Sequence, residues 1–219
     1  MLKNIKAVIF DMDGSLIDSM WIWKDIDIEY LSRYGYHMNS ETVREFQANI
    51  QGMSFYETAV WVKENYKIPK TIEEMMDDWN KMAWDKYENQ VFLKPGALEF
   101  LEECKRRDIK LGIATSNSRE LVENVMQARK IQKYFQVIVT GSEIIHGKPA
   151  PDIYLTVAKA LEADCCDCLV FEDIPAGITA AKRAGMKVCA VKDEYSMHLQ
   201  DEKISMADYY IEDYYGLFK

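Results

Sequence analysis

The chain of 219 residues is long enough for one large domain or for a domain with a smaller insertion. Its composition, 48% hydrophobic and 29% charged residues, excludes a disordered protein, and no run of about 18 apolar residues predicts a membrane span. Because the formal net charge is −9 and no lysine and arginine cluster has a strongly basic character, we expect neither a nucleic-acid nor a membrane partner.

The first predicted element is a short apolar strand that ends in an acidic turn. Residues 7–10 are all apolar, which is typical of a buried strand in a parallel sheet. Asp11 and Asp13 follow directly, and Gly14 supplies a turn residue. Ligands of open α/β sheets bind beyond the carboxyl ends of the strands. The two carboxylates are therefore candidates for binding a hard cation and for nucleophilic or acid–base chemistry.

A helical segment follows this turn. It has no clear strand pattern, and it contains all five tryptophans of the chain. Ser54 with Glu57, and Thr71 with Glu74, have the spacing of capping boxes at helix starts. We expect an all-helical cap domain over residues 15–93, inserted into a core domain formed by residues 1–14 and 94–219. The amphipathic stretches that predict its helices are 18–34, 41–49, 55–66 and 72–88.

Strand and helix patterns alternate after residue 95. Such alternation predicts a parallel sheet with helices on both faces. The fold class that we predict is therefore α/β, with a doubly wound, Rossmann-like core sheet and the inserted helical cap. The strand patterns are residues 109–115, 137–140, 168–172 and 187–191, and the helix patterns between them are 119–129, 151–161 and 176–184.

Polar side chains follow the later strands, as they follow the first. Because the carboxyl ends of the strands of a doubly wound sheet meet at one edge, we expect these side chains to converge on Asp11 and Asp13. They are Thr115, Ser116 and Asn117 after the second strand, Lys148 in the loop before the helix at 151, and Glu172 and Asp173 at the end of the strand at 168–172.

These groups fit the requirements of phosphoryl transfer, in which the charge of the phosphate must be neutralised. Mg²⁺ prefers oxygen ligands, which Asp11, Asp13 and Asp173 could supply. Thr115 and Lys148 could hold the transferring oxygens, and Asp13 could protonate the leaving group. Each group alone also has an ordinary structural explanation, such as a strand-end hydroxyl, a solvated loop cation or a helix cap.

Four strings of residues together resemble the haloacid dehalogenase superfamily, in the helical-cap branch that contains β-phosphoglucomutase and many small-molecule phosphatases. The resemblance covers nearly the whole chain. The strings are residues 11–19 (DMDGSLIDS), 114–117 (ATSN), 147–152 (GKPAPD) and 171–178 (FEDIPAGI).

The resemblance implies a role for each matching residue. Asp11 would be the nucleophile that forms an aspartyl-phosphate, and Asp13 would be the general acid and base. Thr115 and Lys148 would bind the phosphoryl group, and Lys148 would also restrain Asp11. Asp173 would bind Mg²⁺ together with Asp11 and the backbone carbonyl of Asp13.

The remaining expectations concern the surroundings of these residues. Glu172 would support the metal site, and the helical cap would close over it and select the substrate. The turn amides at Gly14, together with Ser116 and Asn117, are further candidates for substrate binding. Phe55 stands where the resembling mutase carries an arginine that grips a second phosphate, and an apolar ring cannot do so. Phe55 is therefore a candidate for lining a less polar substrate pocket.

We accordingly predict an Mg²⁺-dependent phosphatase that hydrolyses the phosphomonoester of a small metabolite, such as a sugar phosphate. A sugar phosphomutase of the β-phosphoglucomutase type is the alternative. Carbon–halogen hydrolysis and a phosphoacceptor signalling module are less favoured. A signal-peptide pattern is missing at the N-terminus, so we expect a cytoplasmic protein, with a monomer as its default state. Cys165, Cys166 and Cys168 lack the second ligand pair of a zinc site.

Overall fold

A six-stranded sheet forms the centre of the structure, a computed structural model that describes residues 1–218. Every neighbouring pair of strands in this sheet is parallel, and the strand order is 3-2-1-4-5-6. The strands are β1 (Ala7–Phe10), β2 (Lys110–Thr115), β3 (Val137–Thr140), β4 (Cys168–Glu172), β5 (Lys187–Val191) and β6 (Tyr209–Ile211).

The helices fall into two groups. Four of them form the helical cap between β1 and the rest of the sheet: α1 (Met20–Ser32), α2 (Ser40–Ile50), α3 (Phe55–Tyr66) and α4 (Ile72–Asn89). The core helices are α5 (Ala97–Arg106), α6 (Arg119–Ala128), α7 (Asp152–Ala160), α8 (Pro175–Arg183) and α9 (Gln200–Met206). None of the helices within residues 1–218 is both long and apolar enough to cross a bilayer.

This architecture confirms the predicted fold class, a doubly wound parallel sheet with an inserted helical cap. The limits of the two domains, residues 15–93 for the cap and 1–14 with 94–219 for the core, stay a prediction. Residue 219 lies outside the described residues. The sequence patterns did not predict α9 or β6, and β6 extends the β5 edge of the sheet.

The sheet is apolar on both faces, which explains why β1 is a continuous apolar run. Successive side chains of a strand point to opposite faces. On one face, Phe10 stacks on Phe171 with ring centroids 5.2 Å apart, and Tyr214 packs against Phe171 at the same distance. On the other face, Ile9 lies in the hydrophobic cluster that α7 and α8 cover. Burial on both faces is the usual condition of a parallel sheet.

The predicted capping boxes are present at the starts of α3 and α4. Ser54 accepts a hydrogen bond from the amide of Glu57 at 3.2 Å, and Glu57 accepts one from the amide of Ser54 at 2.7 Å. Thr71 and Glu74 form the same reciprocal pair. These bonds satisfy amides that the first helical turn leaves without partners.

The chain leaves and re-enters the core at neighbouring positions. Ile17 forms an antiparallel bridge with Leu93, and the amide of Asp18 donates to the carbonyl of Phe92 at 2.9 Å. The two connections of the cap are thus paired with each other directly beyond the acidic turn. This arrangement keeps the cap next to the carboxyl end of β1.

Gly112 in β2 provides a test of the packing between α7 and the sheet. A Cβ atom at this position would lie 2.5 Å from Cγ1 of Val157, a stiff β-branched side chain in α7. We expect Gly112→Ala to lower the free energy of unfolding by about 1–3 kcal/mol because it overpacks this interface. Gly216→Ala is the matched control, since no atom lies within 4 Å of its added Cβ, and its change should stay within about 0.5 kcal/mol. Equal effects of both variants in urea unfolding would contradict the packing argument.

Candidate active site

A buried ammonium group joins the ends of two neighbouring strands. Asp11 follows β1, Glu172 ends β4, and the pairing of these strands brings the two carboxylates to the same edge. Lys148, from the loop before α7, forms an ion pair with Asp11 and another with Glu172, with Nζ 2.6 Å from Oε1 of Glu172. Its side chain is only 2% exposed. The structure thus brings Lys148 and Asp11 together, as the sequence predicted.

Glu172 is fully occupied by donors. Besides Lys148, the hydroxyl of Tyr154 donates to Oε1 at 2.8 Å, and the amides of Asp173 and Ile174 donate to Oε2 at 2.8 and 3.1 Å. A Cβ atom at Gly177 would overlap this carboxylate, so the glycine lets α8 approach it closely. Glu172 therefore holds Lys148 and the Asp173 turn in place.

Three buried carboxylates share this edge of the sheet. Oxygens of Asp11, Glu172 and Asp173 all lie within 4.8 Å of one another. Burial raises the pKa of Asp11, an effect that Lys148 opposes and Glu172 reinforces. Burial and then Glu172 and Asp11 raise the pKa of Asp173 in the same way. With one ammonium against three carboxylates, the cluster could hold a cation, and its oxygen ligands are those that Mg²⁺ prefers.

Lys148 carries the compensating charge of this cluster. Burial lowers its pKa, but Asp11 and Glu172 outweigh burial, so its pKa stands above its ordinary value. The side chain is therefore a fixed positive charge at neutral pH, within reach of an anion bound at Asp11.

The side chain of Asp13 points towards the cap rather than towards this cluster. Its Oδ1 accepts hydrogen bonds from Ser19, at 2.6 Å, and from the hydroxyl of Tyr87 in α4. Its Oδ2 accepts one from the side-chain amide of Asn117 at 2.9 Å. Asp13 is thus held by donors from both the cap and the core.

Tyr87 is a site residue that no sequence pattern predicted. Its hydroxyl also accepts hydrogen bonds from Trp23 at 2.8 Å and from Asn117 at 2.9 Å. Burial and the nearby Asp13 raise the pKa of Tyr87, which keeps the phenol protonated and able to donate to that carboxylate. A tyrosine on the buried face of an amphipathic helix carries no sequence signal that separates it from ordinary core packing.

The other predicted residues of the second strand end also meet at the site. Thr115 is buried, and its hydroxyl accepts the amide of Asn117 at 3.1 Å. The carbonyl of Ser116 accepts the amide of Phe55 at 2.9 Å, which ties the start of α3 to the core. Asn117, expected as a substrate contact, donates instead to Asp13 and Tyr87.

Two glycine and serine contacts fix the turn that carries Asp173. Gly14 has a φ of +81°, and a Cβ atom there would overlap the carboxylate of Asp173. Ser196 donates to the carbonyl of Asp173 at 2.9 Å, and buried Lys203 donates to Ser196 at 2.7 Å. Ser196 and Lys203 come from a part of the chain where no sequence pattern predicted a helix or a strand.

A cavity of about 550 Å³ lies between the cap and the core. The core contributes Asp11, Asp13, Thr115, Ser116, Asn117, Lys148 and Asp173, and the cap contributes Phe55 and the two tryptophans Trp23 and Trp79. The cavity thus contains eight of the ten predicted site residues. The other two, Gly14 and Glu172, do not line it but lie against Asp173 and Lys148, which do.

Comparison with known proteins shows that the chain matches one family model and is similar to proteins named as phosphatases. The model of the haloacid dehalogenase-like hydrolases matches residues 8–191. A probable pseudouridine-5'-phosphatase of Drosophila melanogaster is 30% identical over 230 residues, covering 95% of this chain and 93% of that protein. The bifunctional riboflavin kinase/FMN phosphatase of Arabidopsis thaliana is 34% identical over 192 residues, covering 87% of this chain; the match spans about half (49%) of that relative.

A solved structure has the same fold throughout. The structure of CbbY from Rhodobacter sphaeroides in complex with phosphate superposes with a TM-score of 0.85 at 25% identity, covering 97% of this chain and 96% of that chain. These matches confirm the resemblance drawn from the four sequence strings and the prediction of an enzyme. The chain belongs to the haloacid dehalogenase-like hydrolase family.

Proposed function

We propose that the chain is an Mg²⁺-dependent phosphatase that hydrolyses a small-molecule phosphomonoester through an aspartyl-phosphate on Asp11. The observation that supports this proposal is the meeting of Asp11, Lys148 and Asp173 at the floor of a cavity that the cap covers. The relatives named above are phosphatases, and the CbbY structure holds phosphate.

The proposed reaction has two steps. A carboxylate oxygen of Asp11 attacks phosphorus, the bond to the ester oxygen breaks, and Asp13 gives that oxygen a proton. A water molecule then attacks the acyl phosphate, Asp13 takes up a proton from the water, and phosphate leaves with Asp11 regenerated. Asp13 lies two residues from the proposed nucleophile and lines the same cavity, which supports its assignment to both proton transfers.

The phosphate would be held by fixed positive charge and hydrogen-bond donors. Lys148 and Thr115, both at the cavity, would bind the transferring oxygens. Asp11, Asp173 and the backbone carbonyl of Asp13 would hold Mg²⁺, with Glu172 behind them. The bound ion would neutralise charge on the phosphate oxygens.

The cap supports hydrolysis over phosphoryl transfer to a second phosphorylated sugar. Phe55, where the mutase alternative needs a cation, faces the cavity and packs against Trp23 and Trp79. Among the described cap residues of the cavity, Arg44 is the one cation; it is exposed and donates to the carbonyl of Ser40. A cytoplasmic location and a monomeric state remain predictions.

Asp11→Asn tests the nucleophile. The amide is too weak a nucleophile, so we expect release of inorganic phosphate from p-nitrophenyl phosphate to fall at least about a thousandfold. The variant should remain folded, because the amide keeps the shape of the carboxyl group and Lys148 keeps its ion pair with Glu172. Asp201→Asn, an exposed carboxylate in α9, is the control and should retain full activity. Normal turnover by Asp11→Asn, or phosphoryl transfer without free phosphate, would contradict the proposal.

Removal of divalent ions tests the metal site. After treatment with EDTA we expect phosphate release to be lost, because the buried carboxylates then repel the phosphate dianion. Added Mg²⁺ should restore the rate in the wild type, and Asp173→Asn should need a higher Mg²⁺ concentration for half-maximal rate. A rate that does not change with EDTA would be inconsistent with the proposed cofactor.

Tyr87→Phe tests the positioning of the proposed general acid. The change removes one hydrogen bond to Asp13, and hydrogen bonds to charged groups contribute about 1.5–3 kcal/mol. We therefore expect kcat to fall about tenfold or more, with KM nearly unchanged. Tyr56→Phe, an exposed hydroxyl on α3, is the matched control. If kcat keeps its wild-type value while thermal stability drops, Tyr87 has only a structural role.

A further inference from the structure

One wall of the cavity is built from interlocked aromatic rings of the cap. Trp23 of α1 contacts Phe55 of α3 edge-to-face at 5.7 Å between ring centroids, and Phe55 contacts Trp79 of α4 in the same way at 5.5 Å. All three rings line the cavity. Because three different helices carry them and the rings brace one another, this aromatic wall is preformed.

The aromatic wall is poorly suited to contact with a polyhydroxylated part of a substrate. A hydroxyl that is packed against an apolar ring loses its hydrogen bonds to water, which costs about 1–3 kcal/mol for each group. A flat ring system packs against such a wall without this cost, and aromatic contacts add about 0.5–1.5 kcal/mol. The volume of about 550 Å³ is within the usual range for pockets that enclose a small organic molecule.

One carboxylate of the cap lines the same cavity without a partner. Asp27, one helical turn beyond Trp23 on α1, is half-buried. Within residues 1–218, no donor is hydrogen-bonded to it and no cation pairs with it. Burial alone raises its pKa well above the ordinary value. A carboxylate that faces the cavity without a donor can accept a hydrogen bond from a ligand, and a ligand that supplies an N–H group would satisfy it.

The other ionisable or amide groups of this part of the cavity are either exposed or engaged. Arg44 and Glu45 of α2 are exposed at its margin. Gln47 donates to the hydroxyl of Tyr195 at 2.8 Å, a bond that joins the cap to the core. Asp27 is therefore the cap group most available for a directed contact with the substrate.

We propose that the substrate is a phosphomonoester that carries a flat nitrogen heterocycle, whose ring packs on the aromatic wall and whose N–H donates to Asp27. This inference rests on the proposed phosphatase function and specifies its substrate class. It makes Asp27 and the aromatic wall the determinants of specificity, whereas the groups around Asp11 provide the reaction.

The substrate class is tested by comparing esters that share a phosphate but differ in the ring. Uridine 5′-phosphate carries a single flat ring with an N–H, and flavin mononucleotide carries a system of three fused rings with an N–H. Ribose 5-phosphate carries no nitrogen heterocycle. We expect at least one nucleotide to exceed ribose 5-phosphate in kcat/KM by about tenfold or more. If ribose 5-phosphate equals or exceeds both nucleotides, the heterocycle proposal is overturned while phosphatase activity stands.

The role of Asp27 is tested with the better nucleotide and its N3-methylated form, which cannot donate from that nitrogen. In the wild type, methylation should lower kcat/KM about tenfold. In Asp27→Leu, which replaces an unpartnered carboxylate by an apolar group of similar size, the unmethylated ester should lose the same factor and methylation should have no further effect. Asp25→Leu, at an exposed position of α1, is the control that keeps wild-type discrimination.

The outcomes separate the two proposals. The assignment of Asp27 would be overturned if methylation lowered kcat/KM by the same factor in Asp27→Leu as in the wild type. It would also be overturned if Asp27→Leu lost as much kcat/KM with ribose 5-phosphate as with the nucleotide. Absence of hydrolysis of every ester, including p-nitrophenyl phosphate with Mg²⁺, would overturn the phosphatase function on which the inference depends. Circular dichroism and the thermal midpoint of Asp27→Leu show that the measured protein is folded.

Discussion

The shared ammonium of Lys148 is the interaction on which the site depends. It forms ion pairs with two carboxylates, Asp11 and Glu172, that lie at the ends of adjacent strands and are almost excluded from water. Removing the ammonium would leave both carboxylates without their cation, and an uncompensated buried charge costs about 3–5 kcal/mol. The donors that surround Glu172 fix the ammonium, and the ammonium fixes Asp11. The strand order, with β1 between β2 and β4, is what brings these groups together.

Much of this arrangement could be predicted because the information is local. Asp11, Thr115 and Glu172 each lie at the end of a short apolar run, and the ends of parallel strands meet at one edge. The capping boxes at Ser54 and Thr71 also depend only on residues three positions apart. Such features can be predicted from a sequence because a few neighbouring residues determine them.

The partners that were missed are determined by long-range packing. Tyr87 reaches Asp13 across 74 positions, and Gln47 reaches Tyr195 across 148. No periodic sequence pattern predicts either contact, since both depend on how the cap lies on the core. β6 was not predicted for a different reason: its three residues are too few to form a recognisable strand pattern.

The two parts of the chain therefore divide the chemistry between them. The core brings the charged groups together, and short strings of neighbouring residues determine where these groups lie. The cap contributes the aromatic wall and Asp27, which depend on the relative placement of three helices. A change of substrate can thus arise from substitutions in the cap with no change at Asp11 or Lys148.

The hydrogen bond between Tyr87 and Asp13 has a consequence for the timing of the reaction. Asp13 belongs to the core and Tyr87 to the cap, so any movement that lifts α4 from the core separates them. Bulk water gains free access to Asp11 through the same movement. A movement that opens the proposed nucleophile to solvent would therefore also remove the Tyr87 hydrogen bond from the proposed proton-transfer group.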